Sequence, residues 1–235
     1  MSSDELQKEI NGKALLPDLI SQIEVLDIMK EDQVISRIAN LKSLELEDME
    51  YDIFINSKSF VYEIFVFYDS MPIEIKKTLE YFKIYFIQDD DNRFSICFAL
   101  SSEKTEKSVT NDFFFKINGR EIEKMDVNEF IKYTKNYQNK LLPRINSQTM
   151  INGLPMRNTE TISYKLKDLY FFIIKHFLIR QNYKYTELYF QMIQFEKTTE
   201  EQNNRNKLSL VVRAQGTDIF IDNKGDAYDF GTVYP

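Results

Sequence analysis

One histidine, His176, and one cysteine, Cys97, leave a chain of 235 residues few routes to covalent or acid–base chemistry. A Ser-His-Asp or Cys-His arrangement must use His176, and the sequence marks no nucleophile for it. His176 falls beside Leu169 and Ile173 at the edge of an apolar helical stripe, which makes it a boundary or core side chain rather than a catalytic base. Zinc sites of the usual N/S type need three or four ligands, more than this chain supplies. Neither a P-loop nor a GxGxxG motif occurs, so no standard phosphate cradle is written into the sequence.

Carboxylates are the remaining resource. Asp89, Asp90 and Asp91 are potential oxygen ligands for a divalent cation, but three adjacent side chains on a turn diverge, as at a solvated hairpin tip. Asp222-Asn-Lys-Gly-Asp226, followed by Asp229, loosely matches calcium-loop spacing. Lys224 stands where such a loop wants another oxygen, so a turn is the better reading. Asp52 with Glu74-Ile-Lys76 has the order of a metal-dependent nuclease, in which carboxylates hold a metal that activates water and the lysine stabilises developing charge. That tripeptide arises easily by chance in a chain this rich in Glu, Ile and Lys. No residue is assigned a catalytic, cofactor-binding or metal-binding role, and no cofactor is expected.

Charge supplies the strongest surface signal. Thirty basic and 37 acidic residues give a net charge of −7. Residues 1–52 carry 13 acidic and 5 basic side chains, whereas 111–184 carry 7 acidic and 13 basic. Such polarity fits two faces that meet inside the fold, or two surfaces for different partners. In the basic part, Lys132, Lys135 and Asn139 share the polar side of a helix. Lys140 flanks them, Arg144 follows, and Tyr133 sits near Lys140. These six form the candidate interaction surface, since lysines beside an aromatic ring suit an acidic protein or a nucleic-acid backbone.

The elements that must position these groups follow from periodicity. Residues 1–44 read as helical, with Leu16, Leu19, Ile20, Ile23 and Leu26 on one stripe and Val34, Ile35, Ile38, Leu41 and Leu44 on a second. A break falls at Asp27–Asp32. From Met49 the period becomes two. Met49–Ile55 reads as a strand, Asn56–Ser59 as a turn, and Phe60, Tyr62, Ile64 and Val66 as the next strand. Phe82–Phe86 continues to the acidic turn. Phe94–Leu100 has Phe94, Ile96, Phe98 and Leu100 on one face and Ser95, Cys97 and Ala99 on the other, so it is covered on both sides, with Cys97 a core residue. Phe113–Ile117 meets Asn118-Gly119, a hairpin signal. Asp126 and Glu129 resemble a capping box that opens a helix with a buried stripe of Val127, Phe130, Ile131, Thr134, Tyr137 and Leu141, ended by Pro143. Residues 144–160 read as a long connection. A strongly apolar helix is expected over 162–180, with Ile162, Leu166, Leu169, Ile173 and Phe177 on its main stripe. Strands follow at Leu188–Met192 and Leu208–Ala214, and a hairpin joins Ile219–Ile221 to Tyr228–Phe230.

The fold expected is α+β: N-terminal helices, an antiparallel β-meander, two packed helices at about 127–142 and 162–180, and a C-terminal β-meander. The domain expectation is a helical segment over 1–44, a meander with its helix over 45–142, and the apolar helix with the second meander over 143–235, or 45–235 as one domain. Abundant Ile, Asn, Lys, Phe and Tyr with scarce Ala, Gly, Arg and Pro carry the codon signature of an AT-rich genome. The 19 Phe and 14 Tyr therefore do not by themselves mark a binding surface. A start without a basic and then apolar region, a single cysteine and the absence of a long uncharged apolar run predict a cytoplasmic protein without a membrane span. The function expected is non-catalytic protein–protein interaction, as a structural component of a multiprotein assembly such as a phage or secretion particle, or as an immunity-type inhibitor. Nucleic-acid binding through 111–184 is the alternative, and a carboxylate-dependent metal nuclease the further one.

Overall fold

The protein is described by a computed structural model over residues 28–47, 49–105, 112–173, 185–197, 204–216, 227–229 and 232–234. Two antiparallel sheets face each other, as the alternating segments require. The strands are β1 (Ile28–Met29), β2 (Asp52–Asn56), β3 (Tyr81–Gln88), β4 (Phe94–Ser101), β5 (Phe113–Asn118), β6 (Glu121–Met125), β7 (Thr161–Lys165), β8 (Tyr185–Gln194), β9 (Leu208–Gly216), β10 (Ala227–Asp229) and β11 (Thr232–Tyr234). One sheet has the order β1-β10-β9-β8-β2 and the other β11-β7-β3-β4-β5-β6. The fold is α+β, and β3 to β6 form the expected meander.

Alternation decides which side chains meet. Pairs such as Phe82↔Leu100 and Ile84↔Phe98 turn inward from the six-stranded sheet toward Phe190 and Val212 of the other. The same parity sends Tyr85, Ile87, Cys97, Ala99 and Phe114 outward. Helix α5 (Val127–Asn139) covers that outer face, with the Phe130 ring stacked on Phe114 at 3.9 Å and edge-on to Tyr85 at 4.8 Å. Strand β4 is therefore covered on both sides and Cys97 is fully buried, as a face of small residues requires. On the opposite side of the molecule, α1 (Glu31–Lys42) lays Val34 and Ile38 against Ile193 and Val211. Arg37 reinforces this contact through Glu196 at 3.0 Å, its guanidinium 4.5 Å from the Phe195 ring centre.

Several expectations need correction. Residues 57–70 are helical, not a turn and a strand: α2 (Ser57–Phe60), a π-helical turn (Val61–Val66) and α3 (Phe67–Ser70) run on continuously. Asn56 does not turn a hairpin; its side chain caps this helix by accepting from the backbone N–H groups of Lys58 and Ser59. The wide turn sends Phe60, Ile64 and Phe65 inward and leaves Tyr62 and Val66 outside, so the apparent period of two was accidental. Phe60 then joins the two sheets, its ring 5.3 Å from Phe98 and 6.3 Å from Phe190. The short helix α4 (Ile73–Lys76) follows.

The apolar helix starts later than expected. Thr161–Lys165 is strand β7, paired with β3 and β11, because its alternation completes the sheet. Helix α7 (Leu166–Ile173) buries Leu166, Leu169, Phe172 and Ile173. Its expected continuation, including His176, lies outside the described residues, as do the helix over 16–26 and the turn over 222–226. On α5, Phe130 and Tyr137 are buried but Val127 and Ile131 face solvent, so its buried stripe is narrower than expected. Asp126 does cap the helix, while Glu129 turns away to Lys116.

Helix α5 ends at Asn139, four residues before Pro143, which has no N–H to bond the Asn139 carbonyl, and a new helix begins just beyond Asn139. Pro143 sits in the first turn of that helix, α6 (Leu141–Gln148), where its missing N–H costs α6 no bond of its own. Beyond α6 the supposed connection is anchored by buried polar groups. Asn158 donates to Thr149 Oγ1 and to the Asn206 carbonyl and accepts from the Leu208 N–H, while the Tyr137 hydroxyl donates to the Thr159 carbonyl at 2.8 Å.

Candidate functional site

Among the described residues, polar side chains gather at several surfaces, two of them built by α–β junctions. The first is the face of α5 singled out by the sequence. The β3–β4 turn brings its acidic groups beneath this helix. Lys132 Nζ lies 2.6 Å from Asp90 Oδ2, Lys140 Nζ lies 2.6 Å from Asn92 Oδ1, and Asn136 donates to the Asp89 carbonyl. Arg93 holds both Asp89 and Asp91, so the aspartates are tied to cations of the same neighbourhood. Lys135 and Asn139 are exposed on the same helix, and Arg144 is exposed on α6. The six candidates are thus spread over two helices, with Lys132 and Lys140 both reaching the turn.

Tyr133 is half-buried instead of exposed, and it lines a cavity of about 520 Å³ together with Glu50, Arg93, Lys116, Glu123 and Glu129. Lys116 sits between two carboxylates, 2.8 Å from Glu129 and 3.2 Å from Glu123. The hydrogen bond to Glu129 holds the Lys116 ammonium above its ordinary range, and Lys116 in turn lowers Glu123. Burial raises the Glu50 carboxyl and neighbouring Asp52 adds to this, against the pull of Arg93. The cavity walls carry four carboxylates, Glu50, Asp89, Glu123 and Glu129, against two cations, Arg93 and Lys116, so the lining is net acidic.

The second surface was not anticipated. Tyr68 and Asp69 of α3, Leu79, Glu80 and Tyr81 at the start of β3, and Lys165, Leu166, Lys167 and Tyr170 at the β7–α7 junction line a cleft of about 520 Å³. The sheet builds it: Tyr81 pairs with Lys165 across β3 and β7, and the Leu166 N–H donates to the Glu80 carbonyl at 2.8 Å. Leu79 and Leu166 are buried beneath it. Tyr170 packs on Phe65 with ring centres 5.5 Å apart; burial raises its phenol, and the Asp69 carboxylate beside it raises it further. The visible signal in the sequence was the pair Lys165 and Lys167 ahead of Tyr170. The contribution of Tyr68 and Asp69 stayed hidden because the expected strand stopped at Val66 and no element was expected over the residues that follow.

The residues of the nuclease pattern have separate engagements. Asp52 accepts hydrogen bonds from Tyr189 and Gln191, while Lys76 donates to the Asp69 carbonyl at 3.1 Å and Glu74 is exposed. Among the described residues no group of three or more His, Cys, Asp or Glu side chains is placed to hold a metal ion. Cys97 is held protonated by burial, its thiol well above the usual range. Among the described residues no helix is long and apolar enough to cross a membrane. No protein family, curated protein or solved structure matches this chain.

Proposed function

We propose that this is a non-catalytic protein that works by protein–protein contact, as a cytoplasmic component of a multiprotein assembly. The observation that carries the reading is the set of exposed apolar side chains on the helix over 57–70 and on the short helix α4 that follows it. Tyr62 is 66% exposed, Val66 47%, Ile73 54% and Ile75 39%. Tyr62 and Val66 stand four residues apart on the solvent side of one helix, with Lys58 and Glu63 on the same helical run. An aromatic and aliphatic centre with a charged rim is the composition of an interface core, where a few side chains carry most of the binding energy. Cytoplasmic placement belongs to the same proposal.

The test is capture from the native source with the tagged full chain and with Tyr62→Arg/Val66→Arg. Both substituted positions are exposed, so the fold is retained. A partner held by the wild type and lost by the variant supports the reading; identical retained sets from both proteins overturn it.

A further inference from the structure

A cavity of about 420 Å³ lies between α1, the end of α6 and the end of β8, and shares no lining residue with the two surfaces above. Its volume falls within the range of small-molecule sites, roughly 300–1,000 Å³. Ser36 and Asn40 stand one turn apart on α1, Gln148 is the last residue of α6, and Gln194 is the last of β8. Leu44 and Phe195 supply the apolar part of the wall. One acid and one base, Glu196 and Lys197, complete the charge of the lining, and Glu196 is held by Arg37 at 3.0 Å.

The polar wall is fixed from behind. Gln194 is 4% exposed, and its Nε2 donates to Asn206 Oδ1 at 2.7 Å. Asn206 donates in turn to the Met150 carbonyl at 3.5 Å, and its own carbonyl accepts from Asn158 Nδ2 at 3.2 Å. Asn158 is fully buried and also bonds Thr149 and the Leu208 N–H. This chain of amides locks the Gln194 carboxamide in place, yet Gln194 Oε1 has no partner among the described residues. Asn40 and Gln148 line the same space and make no side-chain hydrogen bond among the described residues. A polar group withdrawn from bulk water without a partner costs free energy unless a water or a ligand supplies one.

We propose that this cavity binds a neutral monosaccharide, whose hydroxyls exchange hydrogen bonds with Asn40, Gln148 and Gln194. A hydroxyl both donates and accepts, and so does a carboxamide, so ligand and wall match group for group. An ion meets a lining with no net charge to answer it. An apolar ligand would cover three carboxamides without bonding them, which is unfavourable for each. Leu44 and Phe195 suit the C–H faces that a sugar ring keeps between its hydroxyls.

Saturation-transfer NMR titration of the full chain tests this with glucose, galactose, mannose and N-acetylglucosamine as probes. Glucuronate, cyclohexanol and N-acetylglycinamide serve as comparison ligands: an anion, an apolar ring and a peptide backbone. At least one of the four sugars is expected to saturate in the millimolar range, and to bind more tightly than every comparison ligand. Asn40→Ala/Gln148→Ala is expected to weaken that sugar by about tenfold or more, through the loss of two hydrogen-bonding side chains. Gln148→Ala alone, at an exposed position that leaves the core intact, is expected to show part of the same loss. The proposal is overturned by no saturable binding of any of the four sugars, by a comparison ligand that binds as tightly as the best of them, or by sugar affinity that is the same in both variants and wild type.

Discussion

The outer sides of α5 and of the helix over 57–70 both expose apolar side chains, Val127 and Ile131 on the first and Tyr62 and Val66 on the second, and they differ in the charge set beside them. Lys132 of α5 and Lys140 just past its end are matched from within the fold, by Asp90 and Asn92. On the other helix the outward groups are Tyr62 and Val66, followed by the Tyr68 and Asp69 that line the cleft. Charge that stands out in a sequence can be charge the molecule uses on itself, since a helix laid over a sheet must pass close to the turns at its ends. Apolar side chains left outside find no such ion-pair partners in the fold, and where several lie close together they mark a surface suited to contact with another.

If the helix over 57–70 is the more consequential region, its anchor should matter most. Phe60 touches Phe82 and Phe98 of one sheet and Phe190 of the other. Phe60→Ala removes a fully buried ring and leaves a cavity, so a loss of about 3–5 kcal/mol is expected in urea unfolding. A loss below about 1 kcal/mol would show that the helix is not pinned there, and the comparison would fail at its base.

Beneath α5 the corresponding probe is Cys97. Its ordinary pKa is 9.0 and burial raises it in the folded chain. Above pH 9 the unfolded chain therefore releases a proton that the folded chain keeps. Stability falls as pH rises, by up to about 1.4 kcal/mol per pH unit for this one group. Cys97→Ala lacks the group, so the stability advantage of wild type over Cys97→Ala should shrink steadily from pH 9 to 10. A constant difference across that window would mean that the face under α5 admits water.

The same contrast explains what could be read in advance. Strand β4 was legible on both faces, because Phe94, Ile96, Phe98 and Leu100 alternate cleanly with Ser95, Cys97 and Ala99. The α5 lysines were legible because a capped amphipathic helix declares its polar side. The segment 57–70 was not: Phe60, Tyr62, Ile64 and Val66 mimic a strand, and a π-helical turn obeys neither a period of 2 nor one of 3.6. Thr161–Lys165 was misread in the reverse direction, since Ile162 happens to fall on the helical stripe that continues through Leu166 and Leu169. The cleft was invisible for a simpler reason. Tyr68 and Lys165 are nearly a hundred residues apart, and only the pairing of β3 with β7 brings their elements together.

A smaller effect sharpens the boundary of the helix itself. Asn56 caps it through Lys58 and Ser59, at 2.9 and 3.5 Å. Asn56→Ala should cost about 1 kcal/mol, the usual value of an N-cap, while Asn56→Asp should keep most of the stability. Were Ala and Asp equally costly, the contact of Asn56 with Glu121 rather than the cap would be holding the junction.

The least effect of all is expected where the sequence drew most attention. Lys132 and Asp90 are both more than half exposed, and water and salt screen such a pair. Lys132→Ala, Asp90→Ala and the double variant should leave the unfolding midpoint unchanged within error, in low salt and in high. The combined Lys132/Lys135/Lys140→Ala variant then asks whether this face meets a nucleic acid. A surface whose charge is spent on its own turn should give neither wild type nor variant measurable DNA or RNA affinity at low ionic strength. Binding by wild type that falls steeply with salt and disappears in the triple variant would reverse the comparison, making α5 the working face and its contacts with the acidic turn a competitor that the nucleic acid displaces.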